Sequence, residues 1–275
     1  MCVAGCHEAV AKSLSRRRLL SGSVVAAGAL ASLAGSGAGA GALAAGGKAF
    51  SKVVDLTLLL TDDFPTYGGT QGFTLEPVTT IASDGYNTNR WIVDEHTGTH
   101  IDAPLHFIND GIDVSQIAVD TLVAPLVVVD IREKAAKDAD AMVEVADLER
   151  WEKAHGAIPD GAVVVMMSGW DKHLGTDMYR NAAEGGVMHF PGFSPAAAKW
   201  MLERKIAGLG VDTLSQDRGI SKDFAVHVAW LGAGRFGIEA MGNLDQVPAA
   251  GATLVIGAPK IKGATGGPTR VLALV

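Results

Sequence analysis

From residue 53 onward, apolar positions gather into short runs bounded by Gly, Pro or Asp. Runs at 53–60, 72–81, 88–95, 122–131, 162–167, 206–211, 252–256 and 270–275 are rich in Val, Ile, Leu and Thr, which predicts strands. Helical spacing is rarer. Ser194 followed by Pro195 gives an N-cap and a first helical position, after which Ala198, Met201 and Leu202 recur at helical intervals as far as Arg204. Weaker helical patterns cover 147–155 and 224–231. The expected fold class is mixed α/β, with a β-rich core and flanking helices. No regular strand–helix–strand alternation is visible, so a plain doubly wound sheet is not expected. No linker-like run and no internal repeat interrupts the chain after Lys48, which predicts one domain over 45–275.

Composition narrows the class. Of the 275 residues 48% are hydrophobic, which excludes disorder for the whole chain, and 34 glycines without a triplet period exclude collagen. The formal net charge is −7, and Lys12, Arg16, Arg17 and Arg18 all lie in the leader, so the body is more acidic still. Nucleic-acid binding is not expected, because phosphate neutralisation needs clustered Lys and Arg.

Residues 1–44 read as an address. Arg16-Arg17-Arg18 precede a modestly apolar stretch of small residues, and Ala42-Leu43-Ala44 offers a cleavage site. Paired arginines before a weak hydrophobic region resemble the twin-arginine type of signal. The expectation is a removable export signal and a periplasmic or extracellular protein. A stable membrane span is not expected, because Gly22, Gly28, Gly35, Gly37 and Gly39 break the stretch.

Cys2 and Cys6 are the only cysteines, and both lie in that leader. A metal site in the body must therefore use His, Asp and Glu. Such donors are concentrated in H-T-G-T-H-I-D-A-P-L-H-F at 96–107, which holds His96, His100, Asp102 and His106. Neutral imidazole and ionised carboxylate suit Zn²⁺, Mn²⁺ or Fe²⁺. The H-x-x-x-H spacing suggests a zincin helix, but Thr97 stands where such proteases carry their Glu, and Thr, Gly and Pro oppose helix. An extended segment is expected instead. His100 and Asp102 then share one face about 6.6 Å apart at ~3.3 Å per residue. His96 would lie about 13 Å from His100 on a straight strand, so a turn at Gly98 must return it. Downstream, Gly232-Ala233-Gly234-Arg235-Phe236-Gly237 has the form G-x-G-x-x-G but lacks the acidic residue about 20 positions later that a dinucleotide site needs. It reads as a turn between a helix bearing His227 and a strand bearing Glu239. Asp212, Ser215 and Asp217 can orient a ligating histidine or cap a loop.

The 96–107 run resembles the signature of the metal-dependent cyclase family, which includes bacterial kynurenine formamidases and isatin hydrolases. Similarity continues through Asp55-Leu56-Thr57, Gly169-Trp170, 190–195, 210–215 and 227–244. The resemblance implies a swivelling β/β/α fold, a homo-oligomer and a centre of one or two divalent ions, Zn or Mn. It implies His96, His100 and Asp102 as ligands, with Asp102 bridging where two ions bind. His227 and Glu239 complete a second site, and His106 is the acid/base. The family's aromatic substrate contact falls within 64–68, where Phe64-Pro65-Thr66-Tyr67-Gly68 replaces the usual Trp-Pro-Gly form. Phe64 and Tyr67 are therefore candidate substrate contacts. Trp170 after Gly169 is read either as a packing residue or as a third contact.

These readings predict hydrolysis of an amide, formamide or lactam by metal-hydroxide attack on the carbonyl carbon. The unperturbed histidine pKa of about 6.5 suits His106 to move the proton. The alternative is a non-catalytic metal- or solute-binding exported protein on the same scaffold, which would have no need of His106.

Overall fold

The computed structural model describes residues 50–275. The leader at 1–44, with its arginines, Cys2 and Cys6, and the first residues of the 45–275 domain lie outside the described residues. Every predicted strand run contains a strand, and five further short strands join them. In chain order they are β1 (Val53–Asp55), β2 (Phe73–Thr79), β3 (Thr88–Val93), β4 (His100–Asp102), β5 (Val123–Asp130), β6 (Met142–Val143) and β7 (Val163–Met167). β8 (Gly192–Phe193), β9 (Gly208–Val211), β10 (Phe236–Glu239), β11 (Thr253–Gly257), β12 (Gly266–Pro268) and β13 (Arg270–Leu274) follow. The helices are α1 (Ile81–Asp84), α2 (Arg132–Ala135), α3 (Val145–His155), α4 (Pro195–Leu202) and α5 (Ala225–Gly232).

Nine strands form one mixed sheet in the order β1-β13-β11-β5-β7-β9-β10-β4-β12. β5, β7, β9 and β10 run parallel. The outer pairings β1/β13, β13/β11, β11/β5, β10/β4 and β4/β12 are antiparallel. The parallel run corrects one expectation. α3 lies between β5 and β7, α4 between β7 and β9, and α5 between β9 and β10, so a strand–helix–strand alternation is present after all. It is hidden in the sequence because α4 and α5 have only eight residues each, and short strands and turns interrupt the crossovers.

Side chains alternate along the parallel strands and build two cores. Leu126 and Val128 of β5 join Val163 and Val165 of β7 on one face, with Ile101 of β4, Ile238 of β10 and Leu254 of β11. Val127, Val129, Val164 and Met166 face the other way, against Leu148 and Trp151 of α3, Met201 of α4 and Trp230 of α5. Burial on both faces is why these strands are continuous apolar runs. Each large side chain so buried contributes about 1.5–3 kcal/mol.

Local chemistry sets the helix starts. Ser194 Oγ accepts the Ala197 N–H at 3.1 Å, and Pro195 occupies the first turn of α4. Glu144 and Asp147 form a capping box at α3. The N-cap of α5 is Phe224, whose backbone is left-handed at φ 48°. There the Asp217 carboxylate accepts the N–H groups of Val226 and His227 at 2.8 and 3.1 Å.

The chain divides into two compact units, and the larger comprises 50–76 and 90–275. The described part of the smaller is 77–89, where Thr80 caps α1 and Gly85 closes it at φ 78°. β2 and β3 pair with each other in a separate two-stranded sheet.

Candidate active site

β4 buries Ile101 in the apolar core and turns His100 and Asp102 to the opposite face, as strand alternation requires. Gly98, at φ 69°, bends the chain so that His96 returns to the same point: its Nδ1 lies 2.7 Å from Asp102 Oδ1. Register then brings in distant residues. β10 pairs with β4 so that Glu239 stands opposite His100 and Gly237 opposite Asp102. His100 Nε2 is 3.3 Å from both Asp102 Oδ1 and Glu239 Oε2. α5 contributes His227, whose Nε2 is 3.0 Å from Glu239 Oε1 and 3.6 Å from Asp102 Oδ2. The five candidate ligands thus converge, and all but His96 are buried.

Asp102 is flanked by glycine on both neighbouring strands, Gly237 and Gly266. A Cβ at Gly237 would overlap the Gln216 side chain, and one at Gly266 would lie 2.7 Å from His96 Cε1. The space is used by Gln216, whose Nε2 donates to Asp102 Oδ2 at 2.6 Å while its backbone N–H donates to Glu239 Oε1 at 3.0 Å. Nothing in the spacing of Gln216 marks it in the sequence, unlike its neighbours Ser215 and Asp217. Asp217 holds His227, accepting from Nδ1 at 2.7 Å. Asp212 has another task. It accepts the N–H groups of Ser168, Gly169 and Trp170 and the Ser168 hydroxyl.

The electrostatics favour a cation. Burial by itself would lower the His100 pKa, yet the Asp102 and Glu239 carboxylates raise it to about 10. His227 behaves likewise: burial opposes its charge, but the Asp102, Asp217 and Glu239 carboxylates around it hold it well above 6.5. Both carboxylates exert the same pull on any cation able to replace those protons. The donor set fits a divalent metal ion on a further observation. His100 Nδ1 donates to Gly98 O at 2.8 Å, which turns Nε2 inward, and that buried nitrogen has no hydrogen-bond partner among the described residues. Among the described residues two donor triads meet metal-binding spacing, His96–Asp102–His106 and His100–Asp102–Glu239, and Asp102 belongs to both.

His106 lies on a 3-10 turn that opens at Pro104, and its ring stacks on His96 with centroids 3.7 Å apart. Burial pushes its pKa down to about 4, away from the ordinary value near 6.5, so the ring is neutral at neutral pH. A cavity of about 240 Å³ opens over these groups. His96, His100, His106, His227 and Glu239 line one side, and the Ser215 hydroxyl, buried without a partner among the described residues, adds a polar point. Pro65, Tyr67, Phe107, Leu214 and Phe224 give an apolar wall.

Of the three candidate substrate contacts, only Tyr67 lines this cavity. Phe64 is packed against Tyr179, and Trp170 is buried with its Nε1 donating to Tyr179 O at 2.9 Å. Phe107 and Phe224 stand on the cavity wall in their place. Phe107 sits within the histidine motif and was open to notice; Phe224 is brought there only by the strained start of α5.

This geometry agrees with what the chain is similar to. Isatin hydrolase from Roseibium aggregatum is 38% identical over 70% of this chain and 77% of its own. Kynurenine formamidase from Bacillus anthracis is 28% identical over 64% of this chain and 76% of its own. Among solved structures, isatin hydrolase A from Labrenzia aggregata bound to benzyl benzoate superposes with a TM-score of 0.77 at 36% identity, covering 82% of this chain and 93% of that one. The Cyclase family model, described as a putative cyclase, matches residues 54–218, which include β4 and the histidine motif. By sequence and by fold alike, the chain belongs to the cyclase family.

Proposed function

We propose that this chain is a metal-dependent hydrolase that cleaves an aryl formamide or a cyclic amide. His96, His100, Asp102, His227 and Glu239 hold one or two divalent ions, zinc or manganese, and His106 moves the proton. The observation that carries this reading is the inward-facing, unpartnered Nε2 of His100 between two buried carboxylates, with His106 stacked beside it on the same cavity. A divalent cation at such donors lowers the pKa of its water from ~15.7 towards ~7 and polarises a carbonyl oxygen.

The chain's own groups supply the rest. Water adds to the carbonyl carbon as the C–N bond breaks, so one proton must pass from water to the leaving nitrogen. His106, uncharged at neutral pH, accepts it on a ring nitrogen and delivers it to the leaving nitrogen. Tyr67, Phe107, Leu214 and Phe224 hold an aromatic ring and exclude bulk water. Gln216 and Asp217 fix the orientation of Asp102 and His227. His106 also favours a hydrolase over a binding protein, which has no use for a neutral imidazole beside its ligands.

The relatives named isatin hydrolase and kynurenine formamidase support amide C–N cleavage as the class. The leader sequence supports export by the twin-arginine route to the periplasm or beyond. Among the described residues no helix is long and apolar enough to cross a membrane. The family resemblance supports a homo-oligomer, and exposed Leu59, Leu75, Trp91 and Ile92 provide apolar surface for it. Metal analysis combined with a hydrolysis screen on N-formylkynurenine, isatin and simple lactones tests the reading. Stoichiometric metal with turnover of at least one C–N substrate is expected. A metal-bearing protein inert to all C–N substrates would reject the hydrolase.

A further inference from the structure

We infer that Thr265 and Glu95 are positioning residues that fix the His96 ring so that it offers Nδ1, and not Nε2, to the ion. The inference rests on the metal centre proposed above. Thr265 immediately precedes β12, whose Gly266 pairs with Asp102. Its hydroxyl donates to Glu95 Oε2, and its backbone N–H donates to the same oxygen at 2.9 Å. A hydroxyl has one hydrogen. With that hydrogen directed at a carboxylate, Thr265 Oγ1 is left as an acceptor towards His96 Nε2, 2.9 Å away. Nε2 must therefore carry the ring hydrogen. Nδ1 is the nitrogen turned to Asp102 Oδ1 at 2.7 Å, where a cation would sit.

The neighbouring histidines are wired in the opposite sense. His100 donates from Nδ1 to Gly98 O at 2.8 Å, and His227 engages Asp217 through Nδ1 at 2.7 Å, so both present Nε2 inward. Thr265 alone differs from those anchors in kind: a carbonyl or a carboxylate can only accept, whereas a free hydroxyl can also donate. Glu95 removes that freedom. Without it the Thr265 hydroxyl could turn to donate to Nε2, which would favour a hydrogen on Nδ1, where the ion must bind. Gly266 completes the arrangement, because a side chain there would press on His96 Cε1.

The full chain, labelled with ¹⁵N-histidine and loaded with Zn²⁺, tests this in a long-range ¹H–¹⁵N correlation. His96 is expected to keep its hydrogen on Nε2 with Nδ1 coordinated; a coordinated Nε2 with the hydrogen on Nδ1 would overturn the inference. In parallel, Thr265→Val should weaken Zn²⁺ affinity by ~10–100-fold in chelator competition. The thermal midpoint of the metal-free chain should stay close to wild type, and Thr265→Ser should restore affinity. Wild-type Zn²⁺ affinity in Thr265→Val would reject the positioning role. If that variant does not fold, the wild-type spectrum still decides. A wild-type chain that retains neither Zn²⁺ nor Mn²⁺ is a separate result, which refutes the metal centre itself.

Discussion

Asp102 and His106 stand four positions apart on one short motif, yet their surroundings assign them different failures. Asp102 is fully buried and is shared by both donor triads. Asp102→Ala is expected to lose bound metal and activity together, as is His100→Ala. His106→Ala is expected to keep its metal while kcat falls ~10²–10⁴-fold, the usual contribution of a general acid–base group. Metal content and kcat measured on the same preparations check this, and equal metal loss in both variants would make His106 a ligand. Gly237 gives a steric test of the same centre. Because a Cβ there would overlap Gln216, Gly237→Ala should displace that side chain from Asp102. Overpacking of this kind costs typically 1–3 kcal/mol, measurable by denaturant unfolding, and metal affinity should fall with it.

Among the elements, α3 shows how little of a helix's stability need be visible in its periodicity. Asp147 accepts the Glu144 N–H at 2.8 Å and pairs with Lys134 Nζ at 2.6 Å and Arg150 Nη1 at 3.0 Å. Burial alone would raise its pKa, but Lys134, the Glu144 N–H and Arg150 lower it below 3.8. A carboxylate whose folded pKa is depressed contributes stability above its unfolded value, and loses that contribution as pH falls through the folded one. Asp147→Ala should cost about 0.5–2 kcal/mol at neutral pH, the ordinary worth of a helix cap. The gap between wild type and variant should begin to close as pH drops below 3.8, and close fully only below the depressed folded pKa, where Asp147 is protonated in both folded and unfolded chains. Urea titrations across pH 3–7 measure it; a gap that is constant over the range would contradict the assignment.

At the scale of the molecule, the candidate ligands tie β4 to α5 and β10, which lie far from it in sequence. An ion bound only by the folded chain stabilises it by mass action, about 4 kcal/mol at a thousandfold excess over Kd. Chelator treatment should therefore lower the thermal midpoint, and adding back Zn²⁺ or Mn²⁺ should restore it. Identical midpoints before and after chelation would deny that the site links these elements.

The sequence by itself determined the apolar runs that become the long strands, the Ser194–Pro195 start of α4, and the cluster of His96, His100, Asp102 and His106. Those features follow from side-chain chemistry acting over a few residues, where spacing is geometry. The sequence did not disclose the parallel crossover order, because eight-residue helices between irregular loops leave too little periodicity to read. It also did not disclose Gln216 as the partner of Asp102 and Glu239, nor Thr265 and Glu95 as the anchor of His96, nor that Phe107 and Phe224, and not Phe64 or Trp170, line the cavity. Those assignments depend on strand register: sliding β10 by one residue along β4 would turn Glu239 away from His100. Local pattern supplied the donors, while pairing between distant strands decided which of them meet and which way each ring faces.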